Sequence, residues 1–94
     1  MYMEQELIGL IEKVLAYNSH ADTNLITRAF LMAQSAHEGQ QRVSGEPYFN
    51  HPLQVANILA EMEMDTASIV SALLHDVIED TDITFEDVKE QFGL

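Results

Sequence analysis

The sequence predicts an all-α protein, a bundle of about five helices, and three observations carry that prediction. Apolar residues recur at the helical period in segment after segment, most segments are introduced by a side chain suited to cap a helix, and no stretch alternates as a half-buried strand does. The 94 residues suffice for one small domain with a modest core, and no Pro/Gly-rich linker, repeat or heptad array divides them.

The first helix is expected from Glu4 to Tyr17, where Leu7, Leu10, Ile11, Val14 and Leu15 form the apolar stripe; residues 18–21 break it. Asp22 is the expected N-cap of a second helix with Ile26, Ala29, Phe30, Ala33, Ala36 and His37 on one face and Gly39 at its end. His37 then lies on the core side, where a histidine hydrogen-bonded at a helix end is the simplest reading. Residues 40–50 form the one long polar segment, and Ser44-Gly45-Glu46-Pro47 within it favours turns. His51-Pro52 is expected to open the third helix with proline at its first position, and Leu53, Val55, Ile58, Leu59 and Met62 as its inner face. Asp65 should cap a fourth helix whose stretch from Ala67 to Leu74 has no charge, so packing on nearly all sides is expected, with small Ser68, Ser71 and Ala72 permitting close approach. Thr84 and Asp87 are spaced as a capping box for a fifth helix, Phe85 to about Gln91, with Gly93 placed to end it.

Four Lys plus Arg against sixteen Asp plus Glu give a formal charge of −12, which argues against duplex nucleic acid as a partner. Most of this acid reads as solvated surface; a polyphosphate substrate would need metal ions and a few placed cations to offset the field. The absence of cysteine excludes disulfides and thiolate metal sites. With no signal peptide and no apolar run of transmembrane length, a cytoplasmic protein with no membrane partner is expected.

The chemistry concentrates where the fourth helix ends, in Leu73-Leu74-His75-Asp76-Val77-Ile78-Glu79-Asp80-Thr81. His75 and Asp76 point about 100° apart on a helix, so both reach one ion only if it sits beside the helix between their directions. With His51 at the start of the third helix, and Glu79 and Asp80 following, the set suits a divalent transition metal; manganese, iron and zinc all remain open on the residues alone. The competing reading makes His75 and Asp76 helix-end polar groups and Glu79, Asp80 and Asp82 a solvated acidic turn. Arg42, one of four basic residues, sits in the polar loop as either a phosphate or base contact or a surface ion pair.

Three blocks in order, His37-Glu38-Gly39-Gln40-Gln41-Arg42-Val43-Ser44-Gly45-Glu46-Pro47-Tyr48, then His51-Pro52, then His75-Asp76-Val77-Ile78-Glu79-Asp80-Thr81, closely resemble the N-terminal hydrolase domain of the RelA/SpoT family. The resemblance runs from about residue 20 to the last residue. That family makes and degrades the alarmone (p)ppGpp, and its hydrolase half is an all-helical HD-type phosphohydrolase. The resemblance therefore implies an HD-domain-like bundle, and a guanosine 3′,5′-bis(pyrophosphate) 3′-pyrophosphohydrolase of the stringent response that leaves GDP or GTP. It further implies that His51, His75 and Asp76 hold one manganese ion and that Glu79 and Asp80 position and activate the attacking water. Arg42 would stack on the guanine, while Ser44 and the turn through Tyr48 shape the nucleotide pocket. Val43 stands where many members carry a second basic residue.

The family's metal site also takes an aspartate from a later helix, which no residue after Asp80 matches. Residues 1–94 are accordingly expected to be the N-terminal part of one HD-type domain, without a synthetase region. By itself the chain is expected to be nearly inactive, to bind manganese weakly, and to self-associate through uncovered apolar helix faces. The alternatives are an HD-type phosphohydrolase of another nucleotide and a non-catalytic alarmone-binding module.

Overall fold

Helix α4 (Thr66–Asp80) lies against both α2 (Thr23–Ala36) and α3 (Asn50–Glu61), and α1 (Met3–Tyr17) closes the other side of those two, with α5 (Phe85–Phe92) following α4. The computed structural model describes residues 3–41, 43–80 and 84–92, except for the side chains of Met3, Asp80, Phe85, Gln91 and Phe92. Among the described residues there is no strand, only an isolated bridge between Gln41 and Pro47 in the α2–α3 loop.

The expected caps form. The Asp22 carboxylate accepts from the Leu25 N–H at 3.0 Å at the start of α2, and Asp65 accepts from the Ser68 N–H at 3.1 Å at the start of α4. Thr84 and Asp87 exchange two bonds, 3.0 and 3.1 Å, and so satisfy two backbone donors reciprocally at the start of α5. Gly39 follows α2 with a φ of +80°, in the left-handed region that glycine adopts without a Cβ penalty.

The core joins all five helices: Leu10 and Val14 from α1, Ile26, Ala29, Phe30 and Ala33 from α2, Leu53, Ala56 and Ala60 from α3, and Val88 from α5, packed around α4. Helix α4 supplies Ile69, Val70, Leu73, Leu74 and Val77, each no more than 1% exposed. It is not packed on nearly all sides as its lack of charge suggested: Ala67 and Ser71 are exposed, because residues two positions off the stripe point away from both neighbours.

Helix α3 differs from expectation in two ways. It begins at Asn50, so Pro52 occupies its third position rather than its first; the first-turn N–H groups have no intrahelical acceptor, and proline costs nothing there either. Its inner face is Pro52, Leu53, Ala56 and Ala60, while Ile58 and Met62 are 54% and 63% exposed. Leu53, Ala56 and Ala60 fall on one face at i, i+3 and i+7, and Ile58 and Met62 lie off that face.

The end of α3 is a Schellman motif, with Met64 N–H donating to Leu59 O and Glu63 N–H to Ala60 O, both at 3.0 Å. The left-handed position in it is Glu63, with a φ of 59°, where a Cβ costs energy that glycine would not. The Tyr17 hydroxyl donates to Met64 O at 2.6 Å and ties α1 to this turn. Burial, reinforced by the charges of Glu63 and Asp65, holds the Tyr17 pKa above its ordinary value.

Two outcomes follow from these ends. Glu63→Gly should stabilise the fold by about 1 kcal/mol, raising the melting temperature by roughly 4–8 °C in thermal circular dichroism. Hydrogen bonds from the Ser68 hydroxyl and N–H hold the Asp65 carboxyl below its ordinary value of 3.8. Its contribution is thus complete above that value and is lost as the pH falls through the lower folded-state value. Asp65→Asn, which keeps a capping oxygen, should remove that part of the acid sensitivity of α4, read as helicity in an acid titration.

Candidate metal centre

The periodicity that buries Leu73, Leu74 and Val77 leaves His75, Asp76 and Glu79 on the opposite flank of α4. His75 Nδ1 lies 3.3 Å from Asp76 Oδ1, and His75 Nε2 lies 3.9 Å from Glu79 Oε1 one helical turn on. One potential ligand atom from each of the three falls within 4.8 Å of the others, the spacing of a shell around a single ion. The His75 and Glu79 side chains are 68% and 62% exposed and Asp76 only 17%, so two of the three candidate groups have room to swing and Asp76 has less.

Across from this flank, His51 stands on the first turn of α3. His51, His75 and Asp76 line one groove, of about 310 Å³, together with Pro52, Val55, Leu59, Ser68, Ser71 and Ala72. The small residues of α4 that were expected to permit close packing are thus also the floor of this groove. His51 is not within the tight three-residue group, so the expected set of His51, His75 and Asp76 shares a groove, whereas His75, Asp76 and Glu79 share a point. Imidazole nitrogen and carboxylate oxygen together suit a borderline divalent cation, and the donors here fit one.

The residues alone included Glu79 in the metal-binding set, whereas the family resemblance gave it to the attacking water; its i+4 spacing from His75 places it in the metal-sized group. Of the other candidates, Ser44 is exposed in the α2–α3 loop, and Tyr48 is half-buried at its base with its ring stacked on His37. Arg42 lies outside the described residues. Asp80 closes α4, and its side chain also lies outside them.

Comparison with known proteins shows the family. The model of the HD domain family matches residues 29–94. The chain belongs to the HD domain family. This HD domain is 47% identical over 93 residues to the bifunctional (p)ppGpp synthase/hydrolase SpoT of Escherichia coli (strain K12), an alignment covering 99% of the chain and 13% of that protein. It has the same identity, over the same shares, to the guanosine-3′,5′-bis(diphosphate) 3′-pyrophosphohydrolase of Shigella flexneri. It is 45% identical over 84 residues to the GTP pyrophosphokinase rsh of Brucella melitensis biotype 1, covering 89% of the chain and 11% of that protein. The chain thus spans about an eighth of the length of these curated relatives. The RelA/SpoT resemblance read from three short blocks extends over nearly the whole chain. No helix among the described residues is long and apolar enough to cross a membrane.

His75 belongs to both possible ligand sets and, being mostly exposed, supports little packing. His75→Ala should therefore weaken divalent-metal binding at least about tenfold with melting unchanged, whereas Ser71→Ala at the groove should leave binding within about twofold. Calorimetric titration with the metal alone checks both.

Proposed function

We propose that this HD domain is the N-terminal part of a metal-dependent hydrolase unit that removes the 3′-pyrophosphate of guanosine 3′,5′-bis(diphosphate), leaving GDP, or GTP from the pentaphosphate. The observation that carries the reading is the convergence of His75, Asp76 and Glu79 on one flank of α4, with His75 and Asp76 lining the groove that His51 also lines. Relatives whose names state this hydrolysis align along nearly the entire chain, which supports the choice of substrate.

In this reading His51, His75 and Asp76 hold one manganese ion. When bound, the ion supplies Lewis acidity and positive charge that a chain of formal charge −12 otherwise lacks. Glu79, one turn beyond His75, takes the proton of the attacking water, and Asp80 orients that water. The water oxygen forms its bond to the phosphorus carried on O3′, the P–O3′ bond breaks, O3′ gains a proton, and pyrophosphate departs. Arg42 stacks its guanidinium on the guanine, with Ser44 and the Tyr48 turn shaping the pocket around it. The site works in the cytoplasm on a free nucleotide and has no role with nucleic acid. Exposed Ile8, Leu31, Ile58 and Met62 support self-association of the isolated chain.

The division of labour is testable because Glu79 stands near both roles. Measured in the chain joined to the remainder of its E. coli relative, Glu79→Gln should lower pyrophosphate release by on the order of 10²–10⁴-fold while manganese content stays near stoichiometric. His51→Ala should lose both. If Glu79→Gln loses metal and His51→Ala keeps it, the ligand set is the tight group on α4 and Glu79 is not the base. Release from other nucleotides at an equal rate would remove the substrate assignment.

A further inference from the structure

The loop between α2 and α3 is held from inside by a residue to which the proposed reaction assigns no part. His37 is 2% exposed, the one polar residue among the described fully buried side chains, and it caps α2 through its N–H to Ala33 O at 3.0 Å. Its Nδ1 lies 3.0 Å from Gln40 Oε1. A carboxamide oxygen only accepts, so this contact is a hydrogen bond in the tautomer that carries its proton on Nδ1. The imidazole ring stacks on Tyr48 with centroids 4.8 Å apart and planes 24° from parallel.

Around that ring the loop neck closes in successive steps. Gln40 N–H donates to His37 O and Tyr48 N–H donates to Gln40 O, each at 3.0 Å, and Gln41 and Pro47 then bridge. Residues 43–46 lie beyond this neck, and Gly45 turns the tip with a φ of +90°. A cavity of about 570 Å³, lined in part by His37, Gln40, Gln41 and Pro47, lies beside the neck, so little else backs it. His37 Nε2 is buried without a partner among the described residues, which costs stability that a benzene ring would not. What imidazole adds over phenyl at this place is the donor to Gln40.

We propose that His37 is a positioning residue: clamped between Gln40 and Tyr48, it fixes the neck of the 40–48 loop and thereby the residues that meet the nucleotide. The nucleotide part of this inference rests on the function proposed above. The start of α3 is joined to the neck through His51 N–H, which donates to Tyr48 O at 3.2 Å, and has a second seat in Phe49, edge-on to Phe30 with centroids 4.9 Å apart, which holds the metal groove when the clamp is loosened.

The test uses the full 94-residue chain and two substitutions. His37→Phe keeps a ring against Tyr48 and loses the donor; His37→Asn keeps a donor near the Nδ1 position and loses most of the stack. Amide exchange by NMR should quicken about tenfold at Tyr48 in His37→Phe, with core amides of α4 unchanged, and His37→Asn should recover about half of that effect on a logarithmic scale. Affinity for guanosine 3′,5′-bis(diphosphate), by calorimetry, should fall about tenfold in His37→Phe, while affinity for manganese alone stays within about twofold. Unchanged exchange at Tyr48 in both variants overturns the proposal. So does a parallel loss of nucleotide, metal and α4 protection, which would leave His37 a packing residue only. If the unsubstituted chain binds manganese but not the nucleotide, the proposed function fails for this chain, and the exchange at Tyr48 still decides whether His37 fixes the loop.

Discussion

The one-sided burial of α4 is the constraint on which the rest depends. Ile69, Val70, Leu73, Leu74 and Val77 must all face α2 and α3, and a rigid 3.6-residue period then leaves no freedom in where the intervening residues point. His75 and Asp76 follow directly on Leu74, and Glu79 falls one turn after His75, so the packing that stabilises the helix also aims its ionisable groups. Shifting α4 by one residue would bury a carboxylate and expose a leucine, each at a cost comparable with a large share of a small domain's stability. The candidate metal centre is therefore held in place by hydrocarbon, and its outward groups need few contacts of their own.

Much of this was legible in the sequence because helix caps and apolar periods are local. Asp22, Asp65 and the Thr84–Asp87 pair act where their spacing places them, since a side chain reaching an N–H three residues on needs nothing from the rest of the fold. The inner face of α3 was not legible for the opposite reason. By hydrophobicity Ile58 and Met62 outrank Ala56 and Ala60, and only the packing of α3 against its neighbours decides that the alanines go inside. The start of α3 was misplaced because proline is equally tolerated at any position of the first turn, so Pro52 marks a helix beginning without fixing its first residue.

The site divides along the same line. His75, Asp76 and Glu79 belong to one helix, and their proximity follows from spacing at i, i+1 and i+4. His51 belongs to another helix; its place at the start of α3 made it a candidate, but residue spacing does not say that it lines the same groove. His37 was readable as a core histidine at the end of α2, but its stacking on Tyr48 joins residues eleven apart across a loop that has no period to read.

Charge adds an order of events to the proposed reaction. A chain of formal charge −12 attracts a dication and repels a tetra- or pentaphosphate from the same distance, and its few cations are not spare: Lys13, for one, is engaged 3.0 Å from Asn57 and 3.2 Å from Glu61. The metal must accordingly bind before the nucleotide, because only then does the groove between α3 and α4 present a positive centre within a negative surround. Added salt screens the two approaches with opposite effect, weakening capture of the ion and easing that of the nucleotide. Within a few ångströms of the groove the field is set by bound charge rather than by the distant surface, so the proposed reaction would need the 40–48 loop to hold its nucleotide contacts accurately. A loop whose neck is fixed on a buried imidazole can meet that demand where a freely moving one would spend part of the binding energy on ordering itself.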